Sequence, residues 1–302
     1  MMKHNIKDWL FVTRFWAFPV SAMPVLVTAA YLFSKGELSG SIWHTLLIVL
    51  LCVVGVVVLH AAGNVLSDYF DYKSGVDNPQ AYAVPTLVFH LYEPKEYLVF
   101  SIILFVIGSC IGLVITSLCG PGILLIGGIG VVLTLLYSLL KYNALGDLNI
   151  FLVYGVLIIL GTAYALTGSF HPEVLILSVP IGIITVSVLH ANNTYDIPTD
   201  KAAGIKTFAM LLGPRNSNIL YRVYMIVPFI AVALYVILGW MHPLSLLCFA
   251  GAIPAWKNYK QASSFNEKGL ESMKDLDKAS SQLQLVFSGA LFAGLLFAGL
   301  LV

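Results

Sequence analysis

The sequence predicts an all-α membrane protein with about nine transmembrane helices, and three observations lead there. Of 302 residues, 59% are hydrophobic and 10% charged, against roughly 25% charged in an ordinary soluble domain. Mean hydropathy is +0.90. Apolar runs of about 20 residues, the length that spans a bilayer, follow one another with only short polar or Gly/Pro interruptions. This pattern leaves no stretch for a separate soluble domain, so residues 1–302 read as a single polytopic domain whose first partner is the lipid bilayer. Sixteen Lys+Arg against fifteen Asp+Glu give a formal charge of +1. Such sparse, balanced charge excludes a phosphate-tracking surface, and with it a nucleic-acid partner.

The predicted spans lie near 10–33, 41–67, 95–118, 121–141, 148–168, 173–194, 218–240, 243–256 and 279–301. The first runs on without a small-residue cleavage site and is read as retained. Trp9, Trp43, Trp240 and Trp256 fall near span ends, where an amphipathic ring prefers the headgroup layer. Fifteen basic residues sort to one face: Lys3, Lys7, Arg14, Lys73, Lys95, Lys141, Lys201, Lys206, Arg215, Arg222, Lys257, Lys260, Lys268, Lys274 and Lys278. The other face holds only Lys35. The positive-inside rule then places the N-terminus and the loops after spans 2, 4, 6 and 8 in the cytoplasm. Cys52, Cys110, Cys119 and Cys248 lie in apolar runs without a C-x-x-C pair, which suggests buried small hydrophobes and neither zinc nor redox chemistry.

Carboxylates near a membrane span are costly and mark function. Two clusters stand out, both on the cytoplasmic side by the charge count. The first, Asn64-Val-Leu-Ser-Asp68-Tyr-Phe-Asp71 and on through Gly75 to Asp77, leaves span 2; the second, Asn192-Asn-Thr-Tyr-Asp196-Ile-Pro-Thr-Asp200, leaves span 6. Each contains Asn-x-x-x-Asp, which sets amide and carboxylate on one helix face, and each follows a Leu-His pair. Pro198 and Gly204 predict that the second helix ends near Asp196, with Asp200 on a turn. Acids converging at one end of a bundle repel unless a divalent cation intervenes. Mg²⁺ suits them, since it takes oxygen ligands and links one or two carboxylates to substrate phosphates. Lys73, Lys141, Lys206 and Arg215 in neighbouring loops supply positive charge for a diphosphate. Two other readings compete: solvated turns and caps at the membrane edge, or an ion path in a transporter. His60 and His190 read as buried hydrogen-bonding groups.

Several segments together resemble the intramembrane aromatic prenyltransferases of the UbiA superfamily, with the branch acting on 1,4-dihydroxy-2-naphthoate in menaquinone biosynthesis the nearest. Asn64 to Asp77 is similar to that family's first Asp-rich motif and Asn192 to Thr207 to its second. Tyr137-Ser-Leu-Leu-Lys141 resembles its Tyr-x-x-x-Lys element, followed by Leu145-Gly146-Asp147 where relatives have Leu-Gly-Glu. Arg14-Phe-Trp-Ala-Phe-Pro resembles its N-terminal span.

The resemblance implies a bundle around a central lipid-open cavity, capped by two cytoplasmic Asp-rich loops, in a bacterial-type inner membrane. It implies Mg²⁺ held by Asn64, Asp68, Asp71, Asp77, Asp196 and Asp200. Catalysis would fall to Asp68, Asp71, Asp196, Asp200, Tyr137 and Lys141, and substrate binding to Asn64, Lys73, Asn192, Lys206 and Arg14. The substrates would be a polyprenyl diphosphate and an aromatic acceptor. Tyr69, Phe70, Tyr137 or Tyr195 would face an allylic cation. One departure stands out: relatives carry an Arg-Pro stretch after the first motif, and residues 81–96 contain no Arg. Either Lys73 or Lys95 replaces it, or the diphosphate is held more weakly, or the substrate differs. The alternatives are another acceptor (4-hydroxybenzoate, haem, a glycerol phosphate lipid) or a transporter or lipid-binding protein built on the same acids.

Overall fold

The computed structural model describes residues 5–38, 40–79 and 84–301. Lys3, and the 81–83 part of the Arg-less segment, lie outside the described residues. Within them the chain is helical without a named strand. Seven helices are long and apolar enough to cross a membrane: Phe15–Ser34, Ile42–Ser74, Pro94–Cys119, Gly146–Thr167, Pro172–Tyr195, Pro214–Ile237 and Leu276–Leu300. The protein is an integral, multi-pass membrane protein.

The fourth and eighth predicted spans are broken helices. Gly122–Leu135 stops at Leu136 and resumes as Tyr137–Tyr142, while a 3₁₀ stretch, Pro243–Gly251, leads into the helix Ala252–Ser263. At about 1.5 Å per residue, 14 helical residues reach roughly 21 Å, short of the ~30 Å hydrocarbon core. With the turn that follows, residues 122–142 run from the Tyr164 end of the bundle, where Gly122 N donates to the Tyr164 hydroxyl, to the end where Lys141 meets Asp71.

Outward faces are apolar. On the 94–119 helix Val99, Ile102, Val106 and Leu113 are all more than half exposed, a surface that only lipid solvates favourably. Inside, Leu283, Phe287, Leu291 and Leu295 of the last helix form one core with Val27, Tyr31, Ile181 and Ile184. Small residues allow close crossings: a Cβ on Gly155 would come within 2.9 Å of the Gly182 Cα. There both helices widen into short π-helical stretches, Phe151–Leu157 and Ser178–Gly182. This crossing brings the last turns of the 172–195 helix against the 146–167 helix, below the polar end of the bundle.

Candidate active site

The 42–74 helix carries Asn64, Asp68 and Asp71 on its last turns and ends at Gly75, whose φ of 78° suits glycine. The chain then folds back, with Asp77 N donating to the Asp71 carbonyl at 3.0 Å. The second cluster is built differently from the expected turn. The 183–195 helix ends at Tyr195, and a new helix, Ile197–Ala202, starts with Pro198 in its first turn, the place where proline costs no hydrogen bond. Asp200 N still donates to the Asp196 carbonyl at 2.9 Å, so Asp200 sits one helical turn beyond Asp196.

These helix ends surround a cavity of about 890 Å³. Arg14, Asn64, Asp71, Asp77, Tyr137, Lys141, Asn192, Asp196 and Asp200 all line it, so four separate stretches of sequence converge as the motif pattern implies. A smaller, apolar cleft of about 140 Å³ shares His60, Thr134, Val153 and Tyr154 with it, and Gly55, Gly108, Gly112, Gly127, Gly130 and Gly161 line its walls.

Three predicted residues lie elsewhere. Asp68 is buried behind the cavity wall and pairs with Arg14. Lys73 is exposed, its amine 5.5 Å from the Tyr69 ring centre. The Lys206 side chain is also exposed, and it is the backbone of Lys206 that matters: its N–H donates to the Tyr142 carbonyl at 3.1 Å and its carbonyl accepts from Ala144 N at 2.8 Å. That bridge ties the tail of the second cluster to the Lys141 helix. Long lysine stems at helix ends reach water readily, and spacing alone does not reveal which way they turn. Lys95, the other suggested replacement for the absent Arg, is likewise exposed and away from the cavity. Of the suggested aromatic walls, Tyr137 and Tyr195 line the cavity, Tyr69 and Phe70 do not, and Trp16 and Tyr154 join instead.

Lys141 is the hub. It is 8% exposed, and its amine donates to Asp71 Oδ2 at 3.2 Å. Tyr142, which the motif reading missed, donates its hydroxyl to Asp71 Oδ1 at 2.5 Å, and Ser67 Oγ donates to Oδ2 at 3.3 Å. Across the cavity Asn192 Nδ2 donates to Asp196 Oδ2 at 2.8 Å. Below, Asn64 Nδ2 donates to the Thr13 carbonyl at 3.1 Å, which docks the N-terminal segment. His60 and His190 are hydrogen-bonding groups: His60 meets Ser21 Oγ at 3.1 Å. Fully buried His190 bridges Asp147 Oδ2 at 2.6 Å and Ser217 Oγ at 2.9 Å, about half a turn before Asn192 and under two turns before Asp196.

The free carboxyls are short of positive charge. Burial pushes Asp196 up to about 6 and Asp200 up to about 7, with Lys141 pulling both back. Burial, then the charges of Asp68 and Asp71, push Asp77 to about 7. The buried Asp200 Oδ2 has no hydrogen-bond partner. Among the described residues, however, no three His, Cys, Asp or Glu side chains stand close enough to hold a metal ion by themselves. Of the six residues expected to hold metal, Asp68 pairs with Arg14 and Asp71 with Lys141. The donors that remain are oxygens with an unmet need for a cation. They suit Mg²⁺, which is commonly held by one or two carboxylates and completed by water and phosphate.

The chain is thus an all-helical membrane bundle with two acid-bearing helix ends facing a polar cavity and an apolar cleft leading from it. The model of the UbiA prenyltransferase family matches residues 14–272, and the chain belongs to that family: it is a prenyltransferase. It is 33% identical over 244 residues to UbiA prenyltransferase domain-containing protein 1 of Danio rerio, covering 79% of this chain and 70% of the relative. It is 31% identical over 259 residues to the Drosophila melanogaster homolog, covering 80% and 67%. In fold it is similar to a UbiA homolog from Aeropyrum pernix K1, with TM-score 0.71 and 19% identity over 92% of this chain and 97% of the other. It is also similar to a UbiA homolog from Archaeoglobus fulgidus bound to GPP and Mg²⁺, with TM-score 0.67 and 14% identity over 95% and 99%.

Proposed function

We propose that this protein transfers a polyprenyl group from its diphosphate to an aromatic acceptor, 1,4-dihydroxy-2-naphthoate, in a Mg²⁺-dependent reaction. One observation carries the reading: acidic helix ends and buried cations share a single cavity that continues into a glycine-lined apolar cleft. A headgroup-plus-tail substrate fits that division, the diphosphate among Arg14, Lys141 and the acids, the isoprenoid chain along the cleft. The naphthoate acceptor is supported by the run Asp68 to Asp77, the part of the sequence most similar to that branch of the family. The reading takes residues 1–302 as one domain and counts the two broken segments as crossings, nine in all. It places the chain in a bacterial-type inner membrane with the N-terminus and the site in the cytoplasm.

Asn64, Asp71, Asp77, Asp196 and Asp200 would hold the metal, with Asp68 joining once Arg14 turns to phosphate. Bound there, Mg²⁺ offsets the negative charge of the diphosphate as it leaves. Lys141 adds fixed positive charge beside the same group, where preorganised charge is most effective, and Arg14 joins it on leaving Asp68. As the allylic C–O bond breaks, its electron pair leaves with the diphosphate; a ring carbon of the acceptor bonds to the allylic carbon, and the ring regains aromaticity by releasing the group that carbon carried, as a proton or as carbon dioxide. Tyr137, Tyr154, Tyr195 and Trp16 line the cavity, and a ring face stabilises a cation over it. The apolar cleft keeps water from the chain.

The test is turnover with one polyprenyl diphosphate and a panel of acceptors, with and without chelator. Prenylated naphthoate should form with Mg²⁺ and vanish with excess chelator. Undiminished turnover in chelator would remove the metal, product only with another acceptor would replace the naphthoate, and solute movement without product would favour a transporter. A second measurement addresses orientation: cysteines placed singly at Asn78 and Lys201 should react with an impermeant reagent from the cytoplasmic side. Labelling from opposite sides would overturn the shared-face topology.

A further inference from the structure

The mouth of the main cavity has a polar edge that neither acid-bearing loop supplies. It comes from the segment joining the helices Ala252–Ser263 and Leu276–Leu300. Lys268, Lys274 and Lys278 line the cavity there, interleaved with Glu271, Asp275 and Asp277 of the same stretch. The segment is anchored from beneath. Met273 and Leu276 are fully buried, Asn218 Nδ2 lies 3.1 Å from Met273 Sδ, and Gln261 Nε2 donates to the carbonyls of Ser272 at 3.2 Å and Lys274 at 2.8 Å. Asp275 adopts a left-handed φ of 59°. The backbone turns at that point, so the apolar anchors enter the bundle while the flanking lysines stay at the mouth, their side chains 58% and 68% exposed.

The partners of these amines are weak ones. Lys278 Nζ donates to Asp275 Oδ1 at 2.7 Å, and Lys274 lies 3.9 Å from Glu271. Both are exposed i,i+3 pairs, which water and salt loosen easily. Arg14 and Lys141, by contrast, are already committed to Asp68 and Asp71 inside the cavity. Of the cations that line the cavity, Lys274 and Lys278 are therefore held by weaker pairs than Arg14 and Lys141, on side chains that can turn from their exposed partners to an arriving anion. Tyr195 links the edge to the second acid cluster by donating to Glu271 Oε1 at 3.3 Å.

We propose that Lys274 and Lys278 form a diphosphate-binding rim that holds the headgroup of the prenyl diphosphate at the cavity mouth. The inference rests on the prenyl-diphosphate reading above. The full chain, purified in detergent, is compared with the Lys274→Gln/Lys278→Gln variant in two assays. In the first, KM for geranylgeranyl diphosphate should rise roughly tenfold, the scale of a hydrogen bond to a charged group, with a much smaller change in kcat, and Lys274→Arg/Lys278→Arg should restore much of it. In the second, calorimetric binding of inorganic diphosphate in Mg²⁺ should weaken by a similar factor. Lys257→Gln, at an exposed residue that does not line the cavity, should change neither. An unchanged KM and unchanged diphosphate affinity would overturn the rim, as would wild-type protein that binds no diphosphate. Wild type that binds diphosphate through these lysines yet makes no prenylated product would overturn the transferase reading and leave the rim standing.

Discussion

Replacing Lys141 with Gln should lower prenyl transfer by about 10²–10³, the usual loss when one well-placed electrostatic group is removed from the point where charge develops. Lys141 is buried, bonded to Asp71, and also pulls Asp200 towards its charged form. It thus serves both acid clusters at once. Removing it leaves Asp71 with the Tyr142 and Ser67 hydroxyls alone, and breaking a buried ion pair from one side commonly costs about 3–5 kcal/mol. The variant should therefore melt lower as well. The two effects separate in a rate measured per folded molecule. If Lys141 only balances charge for folding, that rate stays at the wild-type level while the melting temperature drops. Lys141→Arg should recover part of the stability and little of the rate, because a planar guanidinium fork does not reproduce a compact ammonium beside Asp71 and the Tyr142 ring.

How much of this arrangement the sequence discloses depends on what each residue's neighbours in the chain are. The long spans are legible because burial in lipid imposes one simple demand, uninterrupted apolar length, and the 42–74 and 94–119 helices meet it. The breaks at Leu136 and through 243–251 are not legible, since the residues there are as apolar as those around them. The acids stood out because Asp71 and Asp200 are expensive at the end of an apolar helix. Lys274 and Lys278 did not, because lysines at a cytoplasmic span end already have a reason to be there. Only the buried Met273 and Leu276 show which way that segment turns. Lys206 illustrates the opposite failure: a basic residue inside a motif whose visible contribution is a backbone bridge. Asp68 sits in the motif's acid run, and only the fold shows it facing Arg14 behind the cavity wall.

Asp71→Asn and Asp200→Asn should each lower transfer by about 10²–10³, yet move stability in opposite directions. Asp71 is the acceptor for a buried lysine and a tyrosine hydroxyl. Its neutral replacement leaves the Lys141 amine buried without a full counter-charge, so ligand-free protein should be destabilised. Asp200 carries the reverse burden. Burial raises its carboxyl from the ordinary 3.8 to about 7, and Oδ2 has no partner. Between those two values the folded chain holds a proton that the unfolded chain has released, so ligand-free stability falls as pH rises through that window. Asp200→Asn removes this decline, and near neutral pH the variant should melt at or above the wild-type temperature in the absence of metal. The double variant should lose less activity than the product of the single losses, since both carboxylates act on one diphosphate unit. Melting curves from pH 5 to 8 and single-turnover rates at saturating Mg²⁺ read both effects. If these acids were caps and turn residues, the pattern would invert: transfer would persist in both variants, and Asp200→Asn would be the less stable protein at every pH.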